Sequence, residues 1–402
     1  MTSLDEQALA LEAAQLVRVP SVTGAERAAL EHLHRRAQEL GLRSTLVEHD
    51  VATVRAAEGW PGQEVAREEL PGVEVMLPGA DPDAPRLALC AHVDVVPEGT
   101  EPWTHGPWSG ALEDGWVWGR GSVDMKGGAV AALHALSAAG SAHGGRAPRG
   151  DVVLLLVASE EDGGQGAFAA LQRDHAFAGV VLPEPTGFDV VCAHAGALTF
   201  VGVVRGVGAH AAERLHGVSA IDRYLPVHAA LGALEAEVNA DVDHPLMRAL
   251  ELPYPLVVGR LDAGEWSSTV PDRLVFEGRA PVRVGQSVPD ARAAVERAVA
   301  QAADGHAELR WTGATFASAE TPQDDPLVEL ALAAVEAERG TARRGAVPWG
   351  ADFRHFRAHG IPAVMVGTTG IERAHGVDER VAVGELAALA RILQDVVERF
   401  GA

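Results

Sequence analysis

Four short apolar runs restrict this chain more than any other feature. They span residues 86–91, 151–158, 179–182 and 361–367, and each is bounded by Gly or Pro. Val and Leu dominate them, with no polar alternation, so both faces of each run are expected to be buried. That is the condition of strands in a parallel sheet covered by helices on both sides. Helix-forming stretches, such as 126–139 and 326–339, alternate with the runs. The alternation predicts a doubly wound α/β domain built on a mixed, mostly parallel sheet.

A different order occupies the middle of the chain. A strand is expected at 198–205, a helix at 218–239, strands at 256–261 and 274–284, a helix at 289–303 and a strand at 307–311. This β-α-β-β-α-β order is that of a ferredoxin-like unit. With 402 residues the chain has length for two or three domains. The expected division is a first part of the α/β domain at 1–194, an insert at 195–312 and the second part at 313–402. There is no internal repeat, and the Gly-rich patch at 140–150 reads as a surface loop. At the N-terminus, Ser3 and Glu6 form a candidate capping box and Pro20 ends the first helix.

Composition narrows the function classes. The formal net charge is −23, which argues against nucleic acid, whose phosphates need clustered Lys and Arg. It argues equally against an anionic membrane surface. No run is long enough to span a bilayer, and the N-terminus has no basic segment followed by an unbroken apolar stretch, so a secretory signal is not expected. The two cysteines, Cys90 and Cys192, lie in apolar runs and read as buried inert thiols, which fits a reducing, cytoplasmic location.

Acidic and histidine-bearing motifs follow the apolar runs. In open α/β sheets ligands bind at the carboxyl ends of the strands, so these motifs are candidates to converge. Cys90-Ala91-His92-Val93-Asp94 offers an imidazole suited to a borderline metal, with Asp94 available to accept the other ring N–H. Alone, it fits a buried histidine beside a turn aspartate equally well. In the stretch 116–128, Gly119, Gly121, Gly127 and Gly128 allow close backbone approach, and Asp124 stands at the start of the next helix. It could cap that helix or bridge two cations. The Gly-Lys-Ser/Thr of a phosphate-binding loop is missing. Glu160 and Glu161 sit side by side after the most apolar run. Two carboxylates there are costly unless cations offset them. Their side chains diverge, so one can bind metal while the other activates a water. Two prolines flank Glu184 and fix its direction, and His375 follows the last run. As one of seventeen histidines, His375 alone would more often be a surface residue.

Taken together, the stretches HVDVVP, GRGSVDMKGG, SEED-G, PEPTG and AHGVDE resemble the superfamily of acetylornithine deacetylase, succinyl-diaminopimelate desuccinylase, aminoacylase and glutamate carboxypeptidase, in that order along nearly the whole chain. The resemblance implies a dinuclear metal centre. His92 and Glu184 would hold one ion, Glu161 and His375 the second, and Asp124 would bridge them. Asp94 would orient His92, and Glu160 would be the general base. A cis peptide is implied at Asp124-Met125. The stretch 204–222 resembles the family's dimerisation domain, in which His210 would reach a partner's site and stabilise the oxyanion. WSSTVPDRLVFEGR, which contains Ser268, is closest to the deacetylase–desuccinylase branch and makes Arg279 the clasp for a substrate carboxylate. Gly350 falls in Gly350-Ala351-Asp352, where the family often has Gly-Thr-Asp, and Ser159 stands where relatives often carry Asp.

The implied chemistry is hydrolysis of the amide of a small N-acyl amino acid by water activated between two divalent ions, zinc first, with cobalt or manganese also suited to N/O donors. A dipeptidase or carboxypeptidase of the same superfamily is the second reading, and a silent metal-binding scaffold the third. A nucleotide-binding oxidoreductase would need a glycine fingerprint after the first strand, where His92 and Asp94 stand instead. A homodimer through the insert, acting on a small molecule in the cytoplasm, completes the expectation.

Overall fold

The computed structural model describes residues 5–140, 146–173 and 176–401. Two compact units are formed. The first takes the chain up to Cys192, then Glu320–Gly345, and the chain from Ala351 onward; the second comprises Ala193–Ala319 and Ala346–Gly350.

The first unit is built on a mixed sheet whose central strands run parallel. From one edge the order is Arg43–Glu48, Pro71–Leu77, Val152–Val157, Arg86–His92, Phe177–Leu182, Ala363–Met365 and Val190–His194. Arg86–His92 pairs in parallel with both Val152–Val157 and Phe177–Leu182, and the latter pairs in parallel with Ala363–Met365. Every residue of Val152–Val157 is buried, as the unbroken apolar run requires. The helix Gly127–Ala139 is apolar almost throughout, GGAVAALHALSAA, and is covered nearly all round. The last strand is shorter than the run 361–367. Pro362 has no N–H to donate to a ladder. Further on, Gly367 packs so closely on the main chain of Glu184 that no Cβ would fit.

The capping box expected at Ser3 lies outside the described residues. The helix Glu6–Val17 opens on Asp5, whose carboxylate accepts the N–H groups of Gln7 and Ala8. Part of the loop expected at 140–150 also lies outside them.

The second unit has a four-stranded antiparallel sheet in the order Val257–Ala263, Arg273–Val282, Gly196–Arg205, Ala307–Phe316. The helices Ala220–Ala240 and Val288–Ala303 pack on it through Tyr224, Val227, Leu231, Val295 and Val299 against Phe200, Phe276 and Leu274. This is the ferredoxin-like arrangement. Its last strand runs five residues past the expected end at 311, because a register shift between Thr312 and Thr315 lets pairing with Gly196–Arg205 resume.

Candidate metal centre

Parallel neighbours end at the same edge of a sheet. His92 is the last residue of its strand, Glu160 and Glu161 follow Val157 closely, and Glu184 is two residues beyond Leu182. Three adjacent strands therefore deliver an imidazole and three carboxylates to one place. Asp124 arrives from the segment Ser122–Lys126 just ahead of the buried helix Gly127–Ala139. The Asp124–Met125 peptide bond is cis. Gly128 lies against the Pro183 carbonyl with no room for a Cβ, so this helix start and the Glu184 turn are pressed together.

The side chains meet in two overlapping groups. His92, Asp124 and Glu184 form one; Asp124, Glu161 and His375 form the other, with one donor atom from each residue within 4.8 Å of the rest of its group. Asp124 is shared. Its Oδ1 lies 3.1 Å from His92 Nε2 and its Oδ2 lies 3.5 Å from His375 Nε2. His375 Nε2 is also 3.2 Å from Glu161 Oε1, and His92 Nε2 is 3.9 Å from Glu184 Oε2.

The tautomer of His92 follows from its other nitrogen. Nδ1 donates to the main-chain carbonyl of Asp94 at 2.9 Å, which leaves the Nε2 lone pair facing Asp124 and Glu184. The Asp94 carboxylate, expected to orient this ring, is farther away at 3.6 Å. It accepts instead the N–H groups of Glu160 at 3.1 Å and Glu161 at 3.0 Å, and the Thr23 hydroxyl at 3.3 Å. Its main hold is thus on the turn that carries both glutamates. Ser159, at φ 72, enters that turn, and its hydroxyl bonds Asp162 while accepting from Gln165.

The electrostatics are those of a place made for cations. Burial, then the charge of Asp352, pushes the Glu160 carboxyl well above its usual range, and Glu184 and Glu161 push it the same way. Burial also lifts Glu184 to about 8 and raises Glu161. Hydrogen bonds to Asp124 and Glu161 hold His375 up at about 10. Without cations, carboxylates this close cannot all stay ionised. The donors, two imidazoles and three carboxylates, form an N/O set suited to divalent metal ions. These residues therefore fit two metal ions that share Asp124.

A model of peptidase family M20/M25/M40 matches residues 88–399. The chain belongs to this family. It is a metal-dependent hydrolase of amide bonds. Over 402 aligned residues it is 32% identical to the succinyl-diaminopimelate desuccinylase of Methylobacterium nodulans, covering 96% of this chain and 94% of that one. Among solved structures, an aminopeptidase from Bacillus cereus superposes with a TM-score of 0.73 at 22% identity, covering 98% of each chain. A dinuclear metal-binding peptidase of the M20 family from Bacillus subtilis superposes with a TM-score of 0.66 at 16% identity, covering 98% and 97%.

The remaining expected site residues lie in the second unit. His210 is exposed in the short strand Ala209–His210, and its Nδ1 accepts the Ala212 N–H. Ser268 is exposed and its carbonyl accepts the Ala211 N–H. Arg279 projects from Arg273–Val282 with its guanidinium 5.9 Å from the Phe316 ring centre. Gly350 meets the same Phe316 side chain so closely that a Cβ would stand 2.8 Å from its Cβ and 2.9 Å from the ring. Two residues not singled out by sequence support the centre directly. Arg120 and Glu379 are both buried and paired at 2.8 Å. Both sat inside the motif stretches, in Gly-Arg-Gly and Asp-Glu-Arg, but a charged residue in a turn is usually solvated, and nothing local marked them as partners.

No helix among the described residues is long and apolar enough to cross a membrane.

Proposed function

We propose that this chain removes the acyl group from a small N-acyl amino acid, with N-succinyl-diaminopimelate as the leading substrate, and that Glu160 is its general base. The observation that carries the reading is Glu160 itself. It is 8% exposed, its Oε1 has no hydrogen bond, and it follows the strand that ends beside the paired ligand groups. A buried carboxylate with a free oxygen there is placed to handle a proton.

His92 and Glu184 would hold one ion, Glu161 and His375 the other, and Asp124 both. Divalent ions bound there, zinc by donor type, would supply Lewis-acid polarisation of the amide carbonyl and would acidify a water toward a pKa of roughly 7. Glu160 would accept a proton from the water as its oxygen bonds the amide carbon, and would return that proton to the nitrogen of the amine as the C–N bond breaks. Asp94 holds the Glu160 and Glu161 amides, so the base and a ligand share one fixed turn. The similarity to desuccinylases supports the succinyl preference, and the resemblance assigns the substrate carboxylate to Arg279, further substrate contacts to Ser268 and Gly350, and the oxyanion to His210.

The same reading includes a homodimer formed through the second unit and a cytoplasmic location. Val257–Ala263 is an edge strand with Val257 54% and Leu261 50% exposed, and the helix Ala220–Ala240 exposes Ile221 and Leu225 one turn apart. Unpaired edges and apolar patches of this kind are usually covered by a partner.

A panel of N-succinyl, N-acetyl and dipeptide substrates, run on zinc-, cobalt- and manganese-loaded protein, tests the substrate. Dipeptide hydrolysis alone would favour the peptidase reading, which the fold similarity to aminopeptidases also suits. Glu160→Gln tests the base: turnover should vanish with metal content kept near that of the wild type. Normal turnover in that variant would remove Glu160 from the scheme.

A further inference from the structure

Outside the ligand set, one buried ion pair touches both halves of the metal centre. Arg120 and Glu379 are 2% and 1% exposed, lie far apart in the chain, and are joined by Arg120 Nη1 donating to Glu379 Oε2 at 2.8 Å. The other carboxylate oxygen accepts two successive backbone N–H groups, from Val123 at 2.9 Å and Asp124 at 3.2 Å. The guanidinium Nη2 donates to the carbonyls of His375 at 3.2 Å and Pro97 at 3.3 Å. The Gly119 N–H donates to the Glu379 carbonyl at 2.8 Å, and the Trp103 ring lies 5.1 Å from the guanidinium.

The backbone held by this pair is not in an ordinary conformation. His375 has φ 62, the left-handed region that a side chain with a Cβ rarely enters unless its surroundings impose it. Its carbonyl is one of the three oxygens that Arg120 gathers. Asp124, the residue whose two oxygens face His92 and His375, has its own amide fixed by the carboxylate that Arg120 neutralises. Solubility does not require two charges in a dry interior, and such pairs are poor sources of stability.

We propose that the Arg120–Glu379 pair is a positioning device for the metal centre, setting the bridging Asp124 and the His375 ligand relative to each other from behind. The inference rests on the reading of Asp124 and His375 as metal ligands. Groups behind the ligands of a metal site commonly govern its affinity. Arg120 acts on His375 directly and on Asp124 only through Glu379, so its loss should fall mainly on the ion held by Glu161 and His375.

The test is stepwise binding of Zn²⁺ in competition with a chromophoric chelator, repeated with Co²⁺ to follow its visible absorption. Wild type, H375A and R120A are compared, each with a thermal melt. Wild type should take up two ions and H375A one. R120A should bind its first ion within about threefold of wild type and its second about 10–100-fold more weakly, with an altered Co²⁺ spectrum for that second ion only. If H375A loses an ion while R120A binds both as wild type does, the positioning role is overturned and the ligand reading stands. Equal weakening of both ions in R120A, tracking a lowered melting temperature, would overturn it as well, since that is the mark of a merely structural residue. Should H375A keep two tight ions, the ligand reading itself falls and the inference with it. Where R120A does not fold, R120K gives the same readout, because one ammonium cannot serve the oxygens at 2.8, 3.2 and 3.3 Å together.

Discussion

Replacing Arg67 by Met should destabilise the protein strongly and in a pH-dependent way. Arg67 and Glu26 are each 1% exposed at the side chain and pair at 3.0 Å, with Asp162 at 3.5 Å from the same guanidinium nitrogen. Methionine matches the bulk of the stem but leaves two buried carboxylates facing no cation. Removing one partner of a buried pair typically costs about 3–5 kcal/mol. Burial, with Asp94 nearby, already holds the Glu26 carboxyl above its usual range, and Arg67 is the main group opposing that. Without Arg67 the folded-state pKa rises further. A group raised on folding contributes stability that is complete below its unfolded pKa and is lost as pH rises through the folded value. The R67M deficit should therefore be largest near pH 8 and shrink toward pH 5, by up to about 1.4 kcal/mol per pH unit for each proton taken up. Urea unfolding of metal-loaded wild type and variant at pH 5, 6.5 and 8 measures this. A deficit under about 1 kcal/mol, or one independent of pH, would refute the reasoning.

Three further outcomes are expected. Chelation should lower the melting temperature and abolish turnover, with recovery on adding zinc or cobalt; an ion at 100 times its Kd contributes about 2.7 kcal/mol. In the chelated protein Glu184 is raised from an ordinary value of 4.5 to about 8, so stability should fall between about pH 4.5 and 8, and level off above, more steeply than in the loaded protein, as parallel melts would register. Asp94→Ala leaves the Glu160 and Glu161 amides without their acceptor, at about 1–3 kcal/mol for each buried N–H. Its kcat should drop about 10–100-fold as the turn relaxes, whereas a loss confined to KM would point to substrate binding instead.

What was legible in the sequence was whatever depends on neighbours in the chain. The run Val152–Val157 has no polar alternation because both faces are covered, and that pattern alone signals a central parallel strand. The adjacent pair Glu160–Glu161, placed straight after it, announced charges that need cations. The edge strand Arg43–Glu48 was not legible, since it is half-exposed and only Val47 is buried. The hold of the Asp94 carboxylate on the glutamate turn was not legible for a related reason. The carboxylate meets the Glu160 and Glu161 amides only because His92 stands opposite Val157 in the sheet, a register that no single stretch of sequence encodes. Arg120 and Glu379 were hidden by distance, 259 positions apart, each ordinary in its own surroundings. The domain boundary shifted too, because 346–350 returns to the second unit after the chain has re-entered the first.

The central claim is that two ions share one carboxylate. Anomalous diffraction at the zinc edge from crystals of the zinc-loaded protein tests it most directly. The account requires two peaks about 3.5–4 Å apart, both within bonding distance of Asp124, one also bound by His92 and Glu184 and the other by Glu161 and His375. A single peak, or two peaks of which only one touches Asp124, would contradict it.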